Sequence, residues 1–337
     1  MKAIEVQNLT KIYKGNINAV DNLSFEVDEG SIFGFLGPNG AGKSTTIKIL
    51  ITLTRPTQGT AHVFDLDVIK EPSKVRGVIG YVPQELSADG ALTGYENLLL
   101  SAKLYDIPPQ EQRTRIDTIL AMLDLTLRAH SLVDTYSGGM VRRLEIGQAM
   151  LHHPRVLFLD EPTIGLDPSG RKLVWEHIRK LNQEEHMTIF LTTHYMEEAE
   201  ALCDQIGIID RSRLSVVGSP QQLKEKVGVS TVTFTIDPKN IDASANPIAL
   251  FTDVEGVAIS QLASNIWQLN ISKPAVQTQE ILRKLVQQNI LISGLEIRGP
   301  SIEDVFLNFT GSRFDEGSSH NEWKTIKGRR RTVRRVR

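Results

Sequence analysis

Short, almost continuous apolar runs alternate with longer segments of helical periodicity over the first 220 residues. The apolar runs lie at 31–37, 78–84, 155–162, 187–194 and 205–210. Between them, helical patterns occur at 43–51, 169–182 and 195–203. Apolar runs of this kind are typical of parallel strands that are covered by helices on both faces, so this part of the chain is predicted to be an α/β domain.

Residues 94–150 differ, because helical periodicity continues there without a strand between the helices. One amphipathic face is formed by Ile116, Ile119, Leu120 and Leu123, which recur at the spacing of an α-helix. The pattern predicts a helical insert, at about residues 88–150, between two strands of the sheet.

The pattern changes again after residue 220. Apolar and polar residues alternate with period two at 231–236 and 266–271, as in strands with one buried face. A helix is predicted at 275–289, and its apolar positions are Ile281, Leu282, Leu285 and Val286. The order strand, short helix, two strands, helix, strand is typical of a small α+β domain, with the ferredoxin-like arrangement as one candidate.

These patterns divide the 337 residues into a first domain at 1–220, a second at 221–310 and a tail at 311–337. Ser301 begins the last helix of the second domain, because Asp304 follows it at the spacing of a capping box. No apolar run reaches the roughly 18 residues that a membrane-spanning helix needs, and no signal peptide is expected.

The formal net charge of −2 conceals a basic tail. Residues 324–337 hold eight Lys or Arg and no acid, so the remaining chain sums to 30 − 40 = −10. The single cysteine, Cys203, excludes an intrachain disulfide and fits a reducing compartment.

Residues 37–44 match the pattern G-x-x-x-x-G-K-[ST] between a predicted strand and a predicted helix. We call this segment the phosphate loop. Its glycines allow successive backbone N–H groups to converge on phosphate oxygens, and the helix that follows adds a favourable dipole. The motif assigns Lys43 to the β- and γ-phosphates and Ser44 to Mg²⁺.

Two acidic residues, Asp160 and Glu161, end the apolar run at 155–162. Asp160 is placed to hold Mg²⁺, as an acid at the end of a strand beside the phosphate loop does. Alternation along an extended strand predicts that Glu161 points to the opposite face, where it would polarise the attacking water. With the phosphate loop, this pair predicts a nucleotide hydrolase.

A second candidate anion site lies at 136–140, which we call the signature segment. Ser137, Gly138 and Gly139 offer a hydroxyl and backbone N–H groups at the start of a helical pattern, but no lysine accompanies them. A device of this kind on the helical insert is predicted to complete the phosphate site of another chain.

In this order, the motifs over residues 1–220 resemble those of ABC-type ATPases. The resemblance implies that Tyr13 stacks on adenine, Gln84 contacts Mg²⁺ and the water, Asp167 belongs to the D-loop and His194 contacts the γ-phosphate. It names Glu161, His194 and Gln84 as catalytic and Ser44, Gln84 and Asp160 as metal ligands. The implied nucleotide-binding residues are Tyr13, Gly37, Pro38, Asn39, Gly40, Ala41, Gly42, Lys43, Ser44, Thr45, Asp160, Ser137, Gly138, Gly139 and Asp167.

The resemblance also implies an antiparallel N-terminal β subdomain and a head-to-tail dimer that sandwiches two ATP molecules with Mg²⁺. A homodimer suffices, since one chain holds every site residue. The signature segment has Tyr136 and Met140 where Leu and Gln are common, and with the C-terminal domain it resembles the drug-resistance branch of bacterial ABC exporter ATPases. Such a subunit is peripheral, lies at the cytoplasmic face of the plasma membrane and powers a separate membrane-spanning permease that exports drug-like or lipid-like substrates.

Two other functions fit parts of the sequence. A soluble ABC ATPase that acts on nucleic acid or ribosomes usually has two cassettes or a long coiled coil, and this chain shows neither. A regulatory protein that hydrolyses little would lack Glu161 or His194, and both are present. The tail at 311–337 is predicted to be disordered, and its basic segment from Trp323 onward either has no role or contacts anionic lipid, which is favoured over nucleic acid.

Overall fold

The computed structural model describes residues 1–228, 230–236, 251, 257–271, 274–288 and 290–311. The chain divides into two units, Met1–Pro220 and Gln221–Gly311. The basic tail predicted after residue 311 lies outside the described residues. In the described ranges, no helix combines the length and the apolarity needed to cross a membrane.

The central sheet of the first unit has six strands, and the predicted apolar runs form five of them. In spatial order they are β10 (Arg213–Gly218), β9 (Gln205–Asp210), β3 (Ile32–Leu36), β8 (Thr188–Thr193), β7 (Val156–Asp160) and β6 (Ile79–Val82). The strands run parallel except β10, which pairs antiparallel with β9. Every residue of β3, β7 and β8 is buried, which explains why these strands read as unbroken apolar runs.

The first unit also has an antiparallel sheet, whose strands come from both sides of the phosphate loop in the sequence. Its order is β2 (Ile17–Asp28), β1 (Lys2–Tyr13), β4 (Gln58–Val63) and β5 (Leu66–Asp67). Phe25 of β2 packs against Phe33, Phe35 and Phe190 of the central sheet, with ring centroids 5.4 to 6.0 Å apart. The α/β core and the antiparallel N-terminal subdomain are thus both confirmed.

The helices of the first unit are α1 (Lys43–Leu50), α2 (Pro72–Val78), α3 (Gly94–Leu104), α4 (Pro109–Met122), α5 (Gly138–Met150), α6 (Pro168–Glu185) and α7 (Met196–Leu202). The helices predicted at 43–51, 169–182 and 195–203 are present within three residues of those bounds, whereas α2 was not predicted. Helices α3, α4 and α5 form the predicted insert between β6 and β7, with short 3₁₀ turns at Thr126–Arg128 and Val133–Thr135. The apolar face of α4 is buried as predicted at Ile116, Ile119, Leu120 and Leu123.

The second unit is an α+β fold with an antiparallel sheet. After α8 (Pro220–Val227), its strands β11 (Ser230–Ile236), β12 (Val257–Ala263), β13 (Ile266–Ile271) and β14 (Ile292–Arg298) are ordered β12-β13-β11-β14. The first and third strands are central, as in ferredoxin-like folds. The short helix predicted between β11 and β12 falls where only Phe251 is described.

The described residues of this unit contain two further helices, α9 (Pro274–Gln287) and α10 (Ile302–Thr310). Ile281 and Leu285 of α9 are buried in the core, but Val286 is 73% exposed, so the apolar stripe of α9 is narrower than the pattern predicted. Ser301 caps α10 in the predicted capping box with Asp304.

Candidate active site

The phosphate loop joins β3 to α1 at the carboxyl edge of the central sheet. Gly40 and Gly42 have φ angles of +83° and +105°, a backbone region that residues with a Cβ rarely adopt. A Cβ on Gly42 would also overlap the carbonyl oxygen of Ala19 in β2. The loop therefore needs glycine at this position, both for its turn and for its close approach to the antiparallel sheet.

The Lys43 side chain is folded over this loop and is only 4% exposed. Its Nζ donates hydrogen bonds to the carbonyl oxygens of Gly37, at 2.7 Å, and Pro38, at 3.2 Å. The same Nζ lies 3.2 Å from Oε1 of Glu161. An ammonium group has three N–H donors, and three oxygens surround this one.

Asp160 is the last residue of β7, and its carboxylate faces the phosphate loop. Its Oδ1 accepts hydrogen bonds from Thr192 Oγ1 at 2.6 Å and from Ser44 Oγ at 3.1 Å. Burial raises the pKa of Asp160 above its ordinary value, while the two hydrogen bonds and the charge of Lys43 act in the opposite direction. Asp160 and Ser44 thus meet as the motifs predicted.

Glu161 lies one residue beyond the end of β7 and does not continue the strand. Its φ of +50° is unusual for a residue with a side chain, and its N–H is held by the carbonyl and hydroxyl oxygens of Thr192. This turn brings the Glu161 carboxylate to Lys43 while Asp160 contacts Ser44. The prediction that the two acids point to opposite faces is therefore wrong, because it assumed an extended backbone.

His194 follows β8 and completes this group. Its Nδ1 lies 2.9 Å from Oε2 of Glu161. Burial by itself would raise the pKa of Glu161, but the hydrogen bond with His194 and the charge of Lys43 outweigh it and hold the pKa below its ordinary value. The Nε2 of His194 is buried and has no hydrogen-bond partner among the described residues, so when it carries a proton it can donate to a phosphate oxygen.

The remaining residues predicted around the loop are less enclosed. Asn39 and Gly40 are exposed, Pro38, Ser44 and Thr45 are half-buried, and Gly37, Ala41 and Gly42 are buried. Tyr13 ends β1 with 39% of its surface exposed, beneath the ammonium of Lys11 at 5.0 Å from the ring centroid. Gln84 follows β6 and is half-buried.

The signature segment forms a second group with the D-loop residue. Ser137 is the N-cap of α5, and its Oγ accepts a hydrogen bond from the Met140 N–H at 3.3 Å. Gly138 packs so closely on Leu166 that a Cβ would lie 2.9 Å from that side chain. Asp167 is the N-cap of α6, but its carboxylate does not cap that helix. Ser137 and Asp167 are both exposed.

Sequence patterns did not single out Thr192, although it organises both acids. It contacts Asp160 and Glu161 across the β7–β8 pair, where Asp160 lies opposite Thr192. The sequence did contain a signal for Thr192: it lies two residues before His194, and residues two apart in a strand share a face. Arg142 and Glu145 were also missed, because buried charges cannot be told from exposed ones by helical spacing alone.

The family comparison agrees with this geometry. The family model described as ABC transporter matches residues 20–164. The linearmycin resistance ATP-binding protein LnrL of Bacillus subtilis (strain 168) is 36% identical over 91% of this chain and 98% of its own length. The chain belongs to the ABC transporter ATP-binding family.

Further relatives support an ATP-hydrolysing role for this ABC protein. The daunorubicin/doxorubicin resistance ATP-binding protein DrrA of Streptomyces peucetius is 38% identical over 94% of this chain and 95% of that protein. The solved structure of the ATP-binding cassette MJ0796, a dimer bound to ADP and Pi, superposes with a TM-score of 0.58 at 27% identity, covering 64% of this chain and 98% of that one. This ABC subunit is accordingly an ATPase, and its first unit has the fold of the ATP-binding cassette.

Proposed function

We propose that two copies of this chain pair head to tail, hydrolyse ATP in composite sites and power a separate membrane-spanning permease. In this proposal residues 1–220 bind and hydrolyse ATP, and residues 221–310 form an accessory domain. The observation that carries the proposal is the Glu161 carboxylate, which lies between Lys43 and His194 at the phosphate loop. A carboxylate in this position can accept a proton from water that attacks a bound γ-phosphate.

Nucleotide binding changes the surroundings of Glu161. A β/γ-phosphate draws the Lys43 ammonium away from Glu161 and the loop carbonyls, because the phosphate oxygens carry more negative charge. Glu161 then loses a cation and gains an anionic neighbour, and both changes raise its pKa. The carboxylate thus becomes a better general base once ATP is present, while His194 Nε2 faces the phosphate oxygens.

The residues proposed for Mg²⁺ fit that ion. Mg²⁺ is usually held by one or two carboxylates and by substrate phosphates, and adjacent oxygens around it are about 3 Å apart. Ser44 Oγ and Asp160 Oδ1 lie 3.1 Å apart beside the phosphate loop, and Gln84 would supply a further oxygen. When bound, the ion neutralises charge on the phosphate oxygens.

The proposed partner of the exposed signature segment is the ATP bound to a second copy. Ser137 is exposed at the start of α5, next to the D-loop, where the first N–H groups of a helix have no intrahelical acceptor. These groups bind anions but offer no lysine, so they complement a phosphate loop that already has one. The cassette MJ0796 is a dimer with ADP and Pi, which supports pairing of two such chains.

The substrate proposal rests on the relatives. LnrL and DrrA are named for resistance to linearmycin and to daunorubicin or doxorubicin, and we assign this chain to export of drug-like or lipid-like molecules from the cytoplasmic face of the membrane. The test is to purify the tagged chain with its membrane partner and reconstitute both in vesicles. ATP-dependent transport supports the proposal, and ATPase activity that no membrane protein accompanies or stimulates contradicts it.

Replacing Lys43 with Ala is expected to weaken ATP binding. Loss of a charged hydrogen bond to phosphate costs about 1.5–3 kcal/mol, which is roughly 10- to 150-fold in affinity. The measurement is titration with a fluorescent ATP analogue. Lys48→Ala is the matched control, because Lys48 is an exposed lysine on the same helix. Equal affinities for the two variants would contradict the role of Lys43.

A chain that ends at Glu322 is expected to keep its ATPase activity and to bind anionic liposomes more weakly at low salt. The removed segment carries Trp323 and eight basic residues, each worth about 1 kcal/mol near an anionic surface. Co-sedimentation with vesicles of anionic and of neutral lipid measures the difference. Equal binding of the full and shortened chains to anionic vesicles would refute lipid contact by the tail.

A further inference from the structure

Arg142 and Glu145 form a buried ion pair one turn apart on α5, which is also the helix that begins at the signature segment. Arg142 Nη1 lies 3.1 Å from Glu145 Oε2, and each residue is only 2% exposed. Burying two charges is costly unless they satisfy other polar groups, and apolar residues of the same volume often pack as stably. The role of this pair in the structure therefore depends on the other polar groups that the two side chains contact.

The two side chains hold the main chain of residues 83–88, the segment that leads from β6 into the helical insert. Arg142 donates to the carbonyl oxygens of Pro83, at 2.7 Å, and Gln84, at 2.9 Å. Glu145 accepts from the N–H of Ser87, from the Ser87 hydroxyl at 3.1 Å and from the N–H of Ala88 at 3.2 Å. One helix thus binds both ends of this segment, through groups that apolar residues cannot replace.

These contacts hold the main chain of Gln84 and do not involve its side chain, because Arg142 donates to the Gln84 carbonyl oxygen. The side-chain amide stays available for the role proposed above, contact with Mg²⁺ and the attacking water. Any movement of Arg142 along or around the helix axis moves the main chain of Gln84 with it.

The signature segment is at the N-terminal end of the same helix, about one turn before Arg142. Ser137 caps α5, and Arg142 lies four residues into it, about 6 Å along the axis from Gly138. Gly138 is packed on Leu166, and hydrogen bonds join the turns between these positions, so this stretch moves as one body. A displacement imposed on Ser137 therefore reaches the carbonyls of Pro83 and Gln84.

We propose that Arg142 and Glu145 are positioning residues that couple Gln84 to the signature segment of the same chain. When Ser137 engages the nucleotide of the partner copy, α5 shifts and the pair carries Gln84 into place at its own nucleotide. The two composite sites are thereby linked, and by thermodynamic reciprocity the link acts in both directions. The inference rests on the proposed role of Gln84 in the ATPase site.

A double-mutant cycle on the full-length chain tests this coupling. Gln84→Ala and Arg142→Met are each expected to lower kcat at saturating ATP by roughly 10- to 100-fold, as misplacement of a catalytic group does. If Arg142 acts through Gln84, the combined variant is no slower than the slower single variant. Independent effects would instead multiply, to within about twofold.

Arg143→Met is the matched control for a purely structural effect. Arg143 is the next residue on α5, is also buried, and donates to the carbonyl of Leu123 at 2.6 Å rather than to the 83–88 segment. Its effect on kcat is expected to multiply with that of Gln84→Ala. If Arg142→Met does not yield folded protein, Glu145→Gln enters the same cycle, because it removes the charge that pairs with Arg142 and leaves one acceptor oxygen in place of two.

Each outcome decides the inference. The inference is supported if the effects of Arg142→Met and Gln84→Ala on kcat do not multiply, whereas those of Arg143→Met and Gln84→Ala do. If Gln84→Ala lowers kcat but the effects of Arg142→Met multiply with it, the coupling is refuted and the role of Gln84 stands. If Gln84→Ala alone leaves kcat unchanged, the proposed role of Gln84 fails, and the inference fails with it.

Discussion

Replacing Glu161 with Gln is expected to lower kcat for ATP hydrolysis by about 10²- to 10⁴-fold while ATP still binds. The amide keeps the size of the side chain and its place beside Lys43 and His194, but it cannot take a proton from water. Phosphate release at saturating ATP measures the loss, and an ATP-analogue titration checks binding. Glu197→Gln is the control, because Glu197 is an exposed glutamate on α7.

The pKa direction adds a condition to this prediction. Because the folded chain lowers the pKa of Glu161, the nucleotide-free carboxylate stays ionised at neutral pH and as the pH falls towards the ordinary glutamate value. Because a glutamine side chain does not titrate in this range, the Glu161→Gln variant should be slow at every pH from neutral to mildly acidic. Hydrolysis near the wild-type rate at any of these values would refute a general base at position 161.

Replacing Ser137 with Arg is expected to abolish hydrolysis, by at least about 100-fold, while ATP binding to the monomer is kept. A cation at the N-terminus of α5 opposes the helix dipole and fills the space proposed for the partner's phosphate. Thr114→Arg is the control, because it adds the same charge at an exposed position of α4, beside Met150 and Leu151 at the C-terminal end of α5. Ser137→Ala is a second control. It removes the helix cap, which costs about 1 kcal/mol of stability, without adding a charge.

Mixing two inactive variants tests the composite site directly. In a head-to-tail dimer of one Ser137→Arg chain and one Glu161→Gln chain, one site keeps an intact Glu161 and faces an intact Ser137. Equal mixing should restore at most about a quarter of the wild-type rate, since half of the random dimers are mixed and each has one complete site. The coupling proposed above lowers this rate further, because the complete site lies on the Ser137→Arg chain, whose own signature segment is blocked. The composite-site proposal is wrong if Glu161→Gln chains that also carry Ser137→Arg still form ATP-dependent dimers in size-exclusion chromatography.

Much of the fold was predictable because its signals are local. Apolar runs mark the buried strands of the central sheet, helical periodicity marks the insert, and glycines at fixed spacing mark the phosphate loop. The boundaries shifted by a few residues at most, as for α6, which spans Pro168–Glu185 where 169–182 was expected. The outward turn of Val286 escaped prediction because a pattern shows periodicity but not the width of the surface that covers a helix.

The sequence alone therefore selected the residues for which we propose chemical roles: the lysine and serine of the phosphate loop, the two acids and the histidine, each at the end of a recognisable element. The tertiary structure decided how they face one another. Glu161 reaches Lys43 only because its backbone leaves the strand, at φ +50°, and Thr192 holds it from the neighbouring strand. Arg142 finds its acceptors about 60 residues earlier in the chain, at Pro83. Such contacts depend on strand register and helix packing, which bring distant residues together by burial, whereas a sequence pattern records only neighbours along one strand or helix.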